Sequence, residues 1–267
     1  KTTEAVTLLR TGDNPYTWSN ETLNFTKPAK TDLVIYEILL RDFDALHSFD
    51  ALRTRLDYLQ SLGINAIELM PVSEFDGNES WGYNPSFHMA LDKYYGNPEA
   101  LKQIIDECHK RGMAVILDVV YNHASGQNPY FRLWNDSNGG TGGKATADNP
   151  FFNSSAKHSY SVFNDYNHQS QATKDYVNRT VRYWIEEFKI DGMRWDLTKG
   201  FTQNCSESDE NCTNTLQQDR VTVLQGYADT QWSLDSNFYV IFEHLGVFQE
   251  EEQWANYRSN DGKGILL

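Results

Sequence analysis

Asp196 and Glu243 each follow a short apolar run, and two carboxylates at the ends of neighbouring strands are what glycoside hydrolysis requires. One attacks or stabilises the anomeric carbon, and the other, kept protonated near neutrality, donates to the leaving oxygen. Within Lys189–Gly200, KIDGMRWDLTKG, the run Lys189–Met193 reads as a buried strand, after which Arg194, Asp196 and Lys199 crowd together. Arg194 and Asp196 are two apart, so on an extended segment they share a face. A neighbouring guanidinium is expected to keep Asp196 ionised, as a nucleophilic carboxylate must be. For this stretch alone an ordinary ion pair at a strand end is the alternative. Other apolar runs end similarly: Arg41 and Asp42 follow the first, Trp81–Pro85 lies beyond the second, and Asn122 and His123 follow the third. Each could be structural, but recurrence at the same end of successive strands points to a shared cleft. Adjacent barrel strands bring two carboxyls roughly 5 Å apart, the separation associated with retention of configuration.

The elements that must hold these groups alternate. Leu33–Glu37, Ile64–Met70, Ala114–Val120, Lys189–Met193 and Phe238–Phe242 read as strands. Between them, Ser48 caps a helix carrying Phe49, Leu52, Leu56, Leu59 and Leu62 up to Gly63, and Asn97-Pro98 opens one with Leu101, Ile104, Ile105 and Cys108 on one face. Helical spacing returns at Val177–Phe188, Leu216–Tyr227 and Gln249–Tyr257. Residues 1–31 read as an irregular lead-in and 32–267 as the main domain, with 121–171, rich in Asn, Gly, Ser and aromatics, as an inserted excursion. Alternating strands and helices predict a parallel α/β sheet. No glycine-rich phosphate loop follows the first strand, so a (β/α)8 TIM-type barrel is favoured over a doubly wound sheet, with only about the first five units found.

Composition narrows the partner. A net charge of −14 argues against nucleic acid, whose binding rests on Lys and Arg neutralising phosphates. Seven Trp, 15 Tyr and 14 Phe offer platforms for sugar faces, although an aromatic-rich core would account for them too. No apolar run is long enough to span a membrane, and no signal peptide is visible. Cys108 lies in an apolar helical pattern, while Cys205 and Cys212 could pair in an oxidising compartment. Asn-x-Ser/Thr triplets at Asn20, Asn24, Asn153 and Asn178 carry little weight in so polar a chain.

Taken in order, the motifs resemble the α-amylase family of glycoside hydrolases. Asp118–His123 is similar to its first conserved region, Gly192–Asp196 to its second, and Phe242-Glu243 to its third. Ile35–Glu37 with Arg41–Phe43, Trp81–Pro85 and Asp92–Gly96 also resemble it, and the excursion resembles the family's domain B. The resemblance implies a retaining double displacement on α-glucans such as starch, glycogen and maltooligosaccharides, with Asp196 as nucleophile and Glu243 as general acid/base. It implies that Arg194 orients Asp196, that Tyr83 stacks on the sugar and that His123 binds its hydroxyls. Trp81, Lys199 and His244 are expected as further substrate contacts, and Asp118 as structural. Asn122 and Asp165 are expected to ligate calcium, against a capping or turn role for Asn122. The implied placement is secreted, cell-surface or periplasmic.

There are departures. Gly200 stands where many members have a histidine, and His88 where a tyrosine is expected. The family's Asn-His-Asp region, source of a third catalytic carboxylate, has no counterpart up to Leu267. The expectation is therefore the N-terminal part of a barrel, weakly active or inactive alone, with its first and fifth strands left as edges. A branching or transglycosylating enzyme, and a carbohydrate-binding fragment without turnover, are the alternatives.

Overall fold

Among the described residues, 11–267 apart from Asp13, the computed structural model forms nine strands: β1 Ile35–Ile38, β2 Ala66–Leu69, β3 Ser73–Phe75, β4 Pro85–Leu91, β5 Ala114–Val119, β6 His123–Ala124, β7 Asn164–Asp165, β8 Gly192–Trp195 and β9 Tyr239–Phe242. Five make one parallel sheet in the order β1-β2-β5-β8-β9. Its strands follow chain order without reversal, as the successive strands of a β/α barrel do and a doubly wound sheet does not.

Strand alternation divides the sheet into two chemistries. Ile67, Leu69, Val115, Leu117, Val119, Met193, Trp195, Val240 and Phe242 join the large core that the helices cover. The intervening positions place Glu37 opposite Glu68, and Asp118 opposite Arg194. A charged side chain inside an otherwise apolar strand is thus turned to the other face.

The covering helices follow their sequence signals closely. Asn97 caps Pro98–Lys110 by accepting from the Ala100 amide, and Gln171–Phe188 and Gln218–Leu234 are the two longest helices. The segment from Ser48 departs from the single helix its spacing predicts. It forms Phe49–Arg53 and Leu56–Ser61, interrupted where the Thr54 hydroxyl donates to the Ala51 carbonyl. Phe49, Leu52, Leu56 and Leu59 are still buried, but Leu62 is exposed.

Of the expected irregular lead-in, 1–31, residues 1–10 and Asp13 lie outside the described residues. The rest of it is tied down: Ser19 N and Thr22 Oγ1 donate to Asp106 Oδ1 at 3.0 and 2.7 Å, and Phe25 stacks on His109. The antiparallel ribbon β3–β4 was not legible as strands. It brings Trp81–Pro85 back over the sheet. The excursion is pinned by pairing β6 with β7, His123 opposite Asp165, and has its own small core of Ala124, Phe131, Ala145, Phe152 and Tyr166. Cys205 and Cys212 are disulfide-bonded, and Cys108 is free and buried.

The expected edges are only half realised. Among the described residues β1 pairs on one side only. At β9 the chain returns in parallel, with Leu266 N donating to Val240 O and Phe242 N to Leu266 O, both at 2.9 Å. The fifth strand is therefore partly covered, because the turn at Gly262–Gly264, held by Lys30, directs Ile265 into the core.

Candidate active site

Asp196 and Glu243 each stand one residue beyond a strand, and a neighbouring strand fixes each backbone. The Asp196 amide donates to Val119 O at 2.9 Å and the Glu243 amide to Trp195 O at 3.0 Å. Their side chains converge on one guanidinium. Arg194 Nη1 lies 3.3 Å from Asp196 Oδ1 and 3.1 Å from both Asp118 oxygens, while Nη2 lies 3.0 Å from Glu243 Oε1. Glu243 Oε2 accepts from the Leu197 amide at 2.9 Å, and Tyr83 donates its hydroxyl to Asp118 Oδ2 at 2.6 Å.

Three carboxylates share this single cation, and their proton affinities follow. Asp196 is pushed up to about 7, by burial first and then by Asp118 and Glu243, against the pull of Arg194. Asp118, wholly buried, is pushed up to about 6 by burial, with Arg194 and the Tyr83 hydroxyl pulling the other way. The expectation that the neighbouring Arg194 keeps Asp196 ionised is met only above about pH 7. The guanidinium is divided among three acceptors, and the anion is largely out of water. The Arg194 guanidinium is held firmly protonated, since the carboxylates around it outweigh the cost of its burial.

Glu37 and Glu68 extend the cluster, with a carboxylate oxygen of each and of Asp118 mutually within 4.8 Å. Glu68 is pushed up to about 7 by burial and then by Asp118. The sequence reading gave Glu68 no role and quoted Glu37 only within a family-like motif. Their signal was present, as acids in apolar strands.

The remaining expected contacts divide. Trp81 is exposed, and Lys199 reaches Asn214 Oδ1 at 2.8 Å above the Tyr160 ring. His123 and His244 are corrections, because packing turns both inward. His123 is buried, with Nε2 2.8 Å from the Tyr83 carbonyl and Nδ1 3.1 Å from the Asn122 amide, so it lies behind Tyr83. Burial lowers its pKa to about 4 and keeps it neutral. His244 is buried between Thr198 Oγ1 at 3.0 Å and Glu250 Oε2 at 2.5 Å. Gly200 is explained by crowding: a Cβ there would lie 1.7 Å from Asn122 Oδ1.

The calcium expectation can be tested on the donors. Calcium takes roughly six to eight oxygens. Asn122 Oδ1 is buried without a protein partner and could supply one. Asp165 is already engaged, since Oδ1 faces His158 Nε2 at 3.2 Å while Oδ2 accepts from Asn153 Nδ2 at 2.7 Å and from the Lys157 amide at 3.2 Å. Its pKa is raised, burial outweighing these donors. As arranged here Asn122 and Asp165 do not make a calcium shell, because an imidazole and two amides already engage the Asp165 carboxylate. Dialysis against EGTA is accordingly expected to leave the melting temperature unchanged. A fall of several degrees that added calcium reverses would show that Asp165 exchanges His158 for a metal.

Among the described residues no helix is long and apolar enough to cross a membrane. Residues 47–162 match the family of α-amylase catalytic domains. Malto-oligosyltrehalose trehalohydrolase of Saccharolobus solfataricus is 34% identical over 190 residues, covering 71% of this chain and 31% of that protein. Chloroplastic isoamylase 3 of Oryza sativa is 31% identical over 225 residues, covering 69% of this chain and 27% of that protein. This chain thus spans about a third or less of these curated relatives. Among solved structures, pullulanase type I of Bacillus subtilis, complexed with maltose, superposes with a TM-score of 0.65 at 23% identity over 88% of this chain and 34% of that one, a likeness of fold. Motif order, the family match over residues 47–162 and the likeness to these relatives agree in making this chain similar to the α-amylase family of glycoside hydrolases, and the solved structure shares its fold.

Proposed function

We propose that this chain carries the catalytic centre of a retaining glycosidase acting on α-linked glucans, with Asp196 as nucleophile and Glu243 as acid/base. The observation that carries the reading is Arg194, whose two Nη atoms reach Asp196 and Glu243 at 3.3 and 3.0 Å. One guanidinium between two carboxylates suits the roughly 5 Å separation of a double displacement. Asp196 attacks the anomeric carbon while Glu243 gives its proton to the leaving oxygen. Water, deprotonated by Glu243, then cleaves the glycosyl ester and restores Asp196. Attack removes the Asp196 charge, so Arg194 and the Leu197 amide are left to stabilise the Glu243 carboxylate just formed. The Tyr83 ring, anchored through its hydroxyl to Asp118, offers a face to the sugar.

The Cys205–Cys212 disulfide favours an oxidising compartment, consistent with a secreted, cell-surface or periplasmic protein. A branching or transglycosylating enzyme would share the glycosyl-enzyme and differ in the acceptor. Slow turnover by this chain alone is part of the proposal, since β1 has one paired side among the described residues.

Chromatography of maltoheptaose incubated with the chain tests the reading. Shorter maltooligosaccharides from the wild type, and none from Glu243→Gln, are expected. Products longer than the substrate would favour transfer. Binding without any product would replace the enzymatic reading with a carbohydrate-binding one.

A further inference from the structure

Behind Glu243 lies a buried group of ions that the double displacement does not use. The Arg220 and Glu250 side chains are 1% and 0% exposed and pair at 2.7 Å, and Glu250 Oε2 also meets His244 Nε2 at 2.5 Å. Such a triad is poorly explained by stability. Removing charges from water costs several kcal/mol per ion, and apolar replacements of similar volume are often neutral or better. What the triad touches is more informative. Arg220 Nη1 donates to the Lys199 carbonyl at 2.8 Å and to Thr213 O at 3.0 Å, while His244 Nδ1 lies 3.0 Å from Thr198 Oγ1. Thr198 in turn donates to the Glu243 carbonyl through its hydroxyl at 2.7 Å and its amide at 3.1 Å.

The contacts at Thr198 and Lys199 fix the residues directly after Leu197, which has a left-handed backbone with φ 48°. That conformation costs a non-glycine residue on the order of 1 kcal/mol and persists only where the surroundings impose it. Here it presents the Leu197 amide to Glu243 Oε2 at 2.9 Å. We propose that Arg220, Glu250, His244 and Thr198 form a positioning relay for Glu243, holding the strained turn that sets its carboxyl for proton donation. None of the four needs to touch substrate. The inference rests on the reading of Glu243 as acid/base.

The test compares substrates that differ in their need for an acid. Cleaving the C–O bond of maltoheptaose requires a proton on the leaving oxygen, whereas α-maltosyl fluoride releases fluoride without one. Thr198→Val keeps the side-chain volume and removes the hydroxyl, and Glu250→Gln breaks the relay at its charged end. Glu250→Gln risks misfolding, so Thr198→Val, with its melting temperature recorded, carries the test. Thr198→Val is expected to lower kcat/KM, which reports the glycosylating step, about tenfold or more on maltoheptaose and by less than about twofold on α-maltosyl fluoride. Equal losses on both substrates, or no loss on either, would overturn the relay and leave the glycosidase reading standing. A wild-type chain inert toward both would overturn that reading and the relay with it.

Discussion

Asp196→Asn is expected to abolish turnover and, at pH 8, to raise the melting temperature. The loss of activity follows from removal of the attacking oxygen and should amount to about a thousandfold or more. The gain in stability follows from the electrostatics of the cluster. Folding raises the Asp196 pKa to about 7, so between roughly pH 4 and 7 the folded protein binds more protons at this site than the unfolded chain. Stability from this residue is therefore complete at low pH and is lost as pH rises through 7. Above that, ionised Asp196 faces Asp118 and Glu243 across a guanidinium it must share. Asparagine ends the repulsion and can still accept from Arg194. The expected gain is roughly 1–3 kcal/mol at pH 8, falling toward zero near pH 4. Calorimetry of both proteins at the two pH values checks it, and a melting temperature lower than wild type at pH 8 would contradict it. The same titration predicts that activity declines as pH falls below about 7, as the nucleophile takes up its proton.

Arg194→Met should be the most damaging single change in the site. Methionine fills much of the volume and leaves Asp118, Asp196 and Glu243 without their shared cation, with Glu68 close behind. Removing one partner of a buried ion cluster costs about 3–5 kcal/mol. The sign of the pH dependence distinguishes this cause from a packing defect. Without Arg194 the carboxyl pKa values rise above the already raised values of Asp118 and Asp196, so the folded state takes up protons on acidification. Urea unfolding is expected to show the full loss at pH 8 and substantial recovery at pH 5. An equal loss at both pH values would show that the arginine acts through packing instead.

These two variants also mark where the sequence was informative and where it was not. The Arg194–Asp196 pair was legible because a two-residue spacing on a strand is a local rule, and Glu243 because it directly follows an apolar strand, β9, which pairs with the strand of Arg194. The sharing of Arg194 was not legible. It depends on the register that sets Asp118 opposite Arg194, and it reverses the expected shift at Asp196. His123 and His244 were misplaced for a related reason. Chain position brought them beside the site, but ring direction is settled by partners distant in sequence, the Tyr83 carbonyl and Glu250. The β3–β4 ribbon was missed because Pro85 and the polar approach to it carry turn signals and mask the strand that follows. Gly200, which stands where many family members have a histidine, proved to be a matter of space beside Asn122.

The most direct test is to trap the glycosyl-enzyme. A 5-fluoro-α-glucosyl fluoride combines a good leaving group with a fluorine that slows both oxocarbenium-like steps, so the covalent intermediate should accumulate and appear by intact-protein mass spectrometry. The account predicts a mass increase of one fluoroglucosyl unit, located on Asp196 by peptide mapping and absent from Asp196→Asn. An adduct on another residue, or turnover of an α-linked substrate giving a β-configured product, would contradict it.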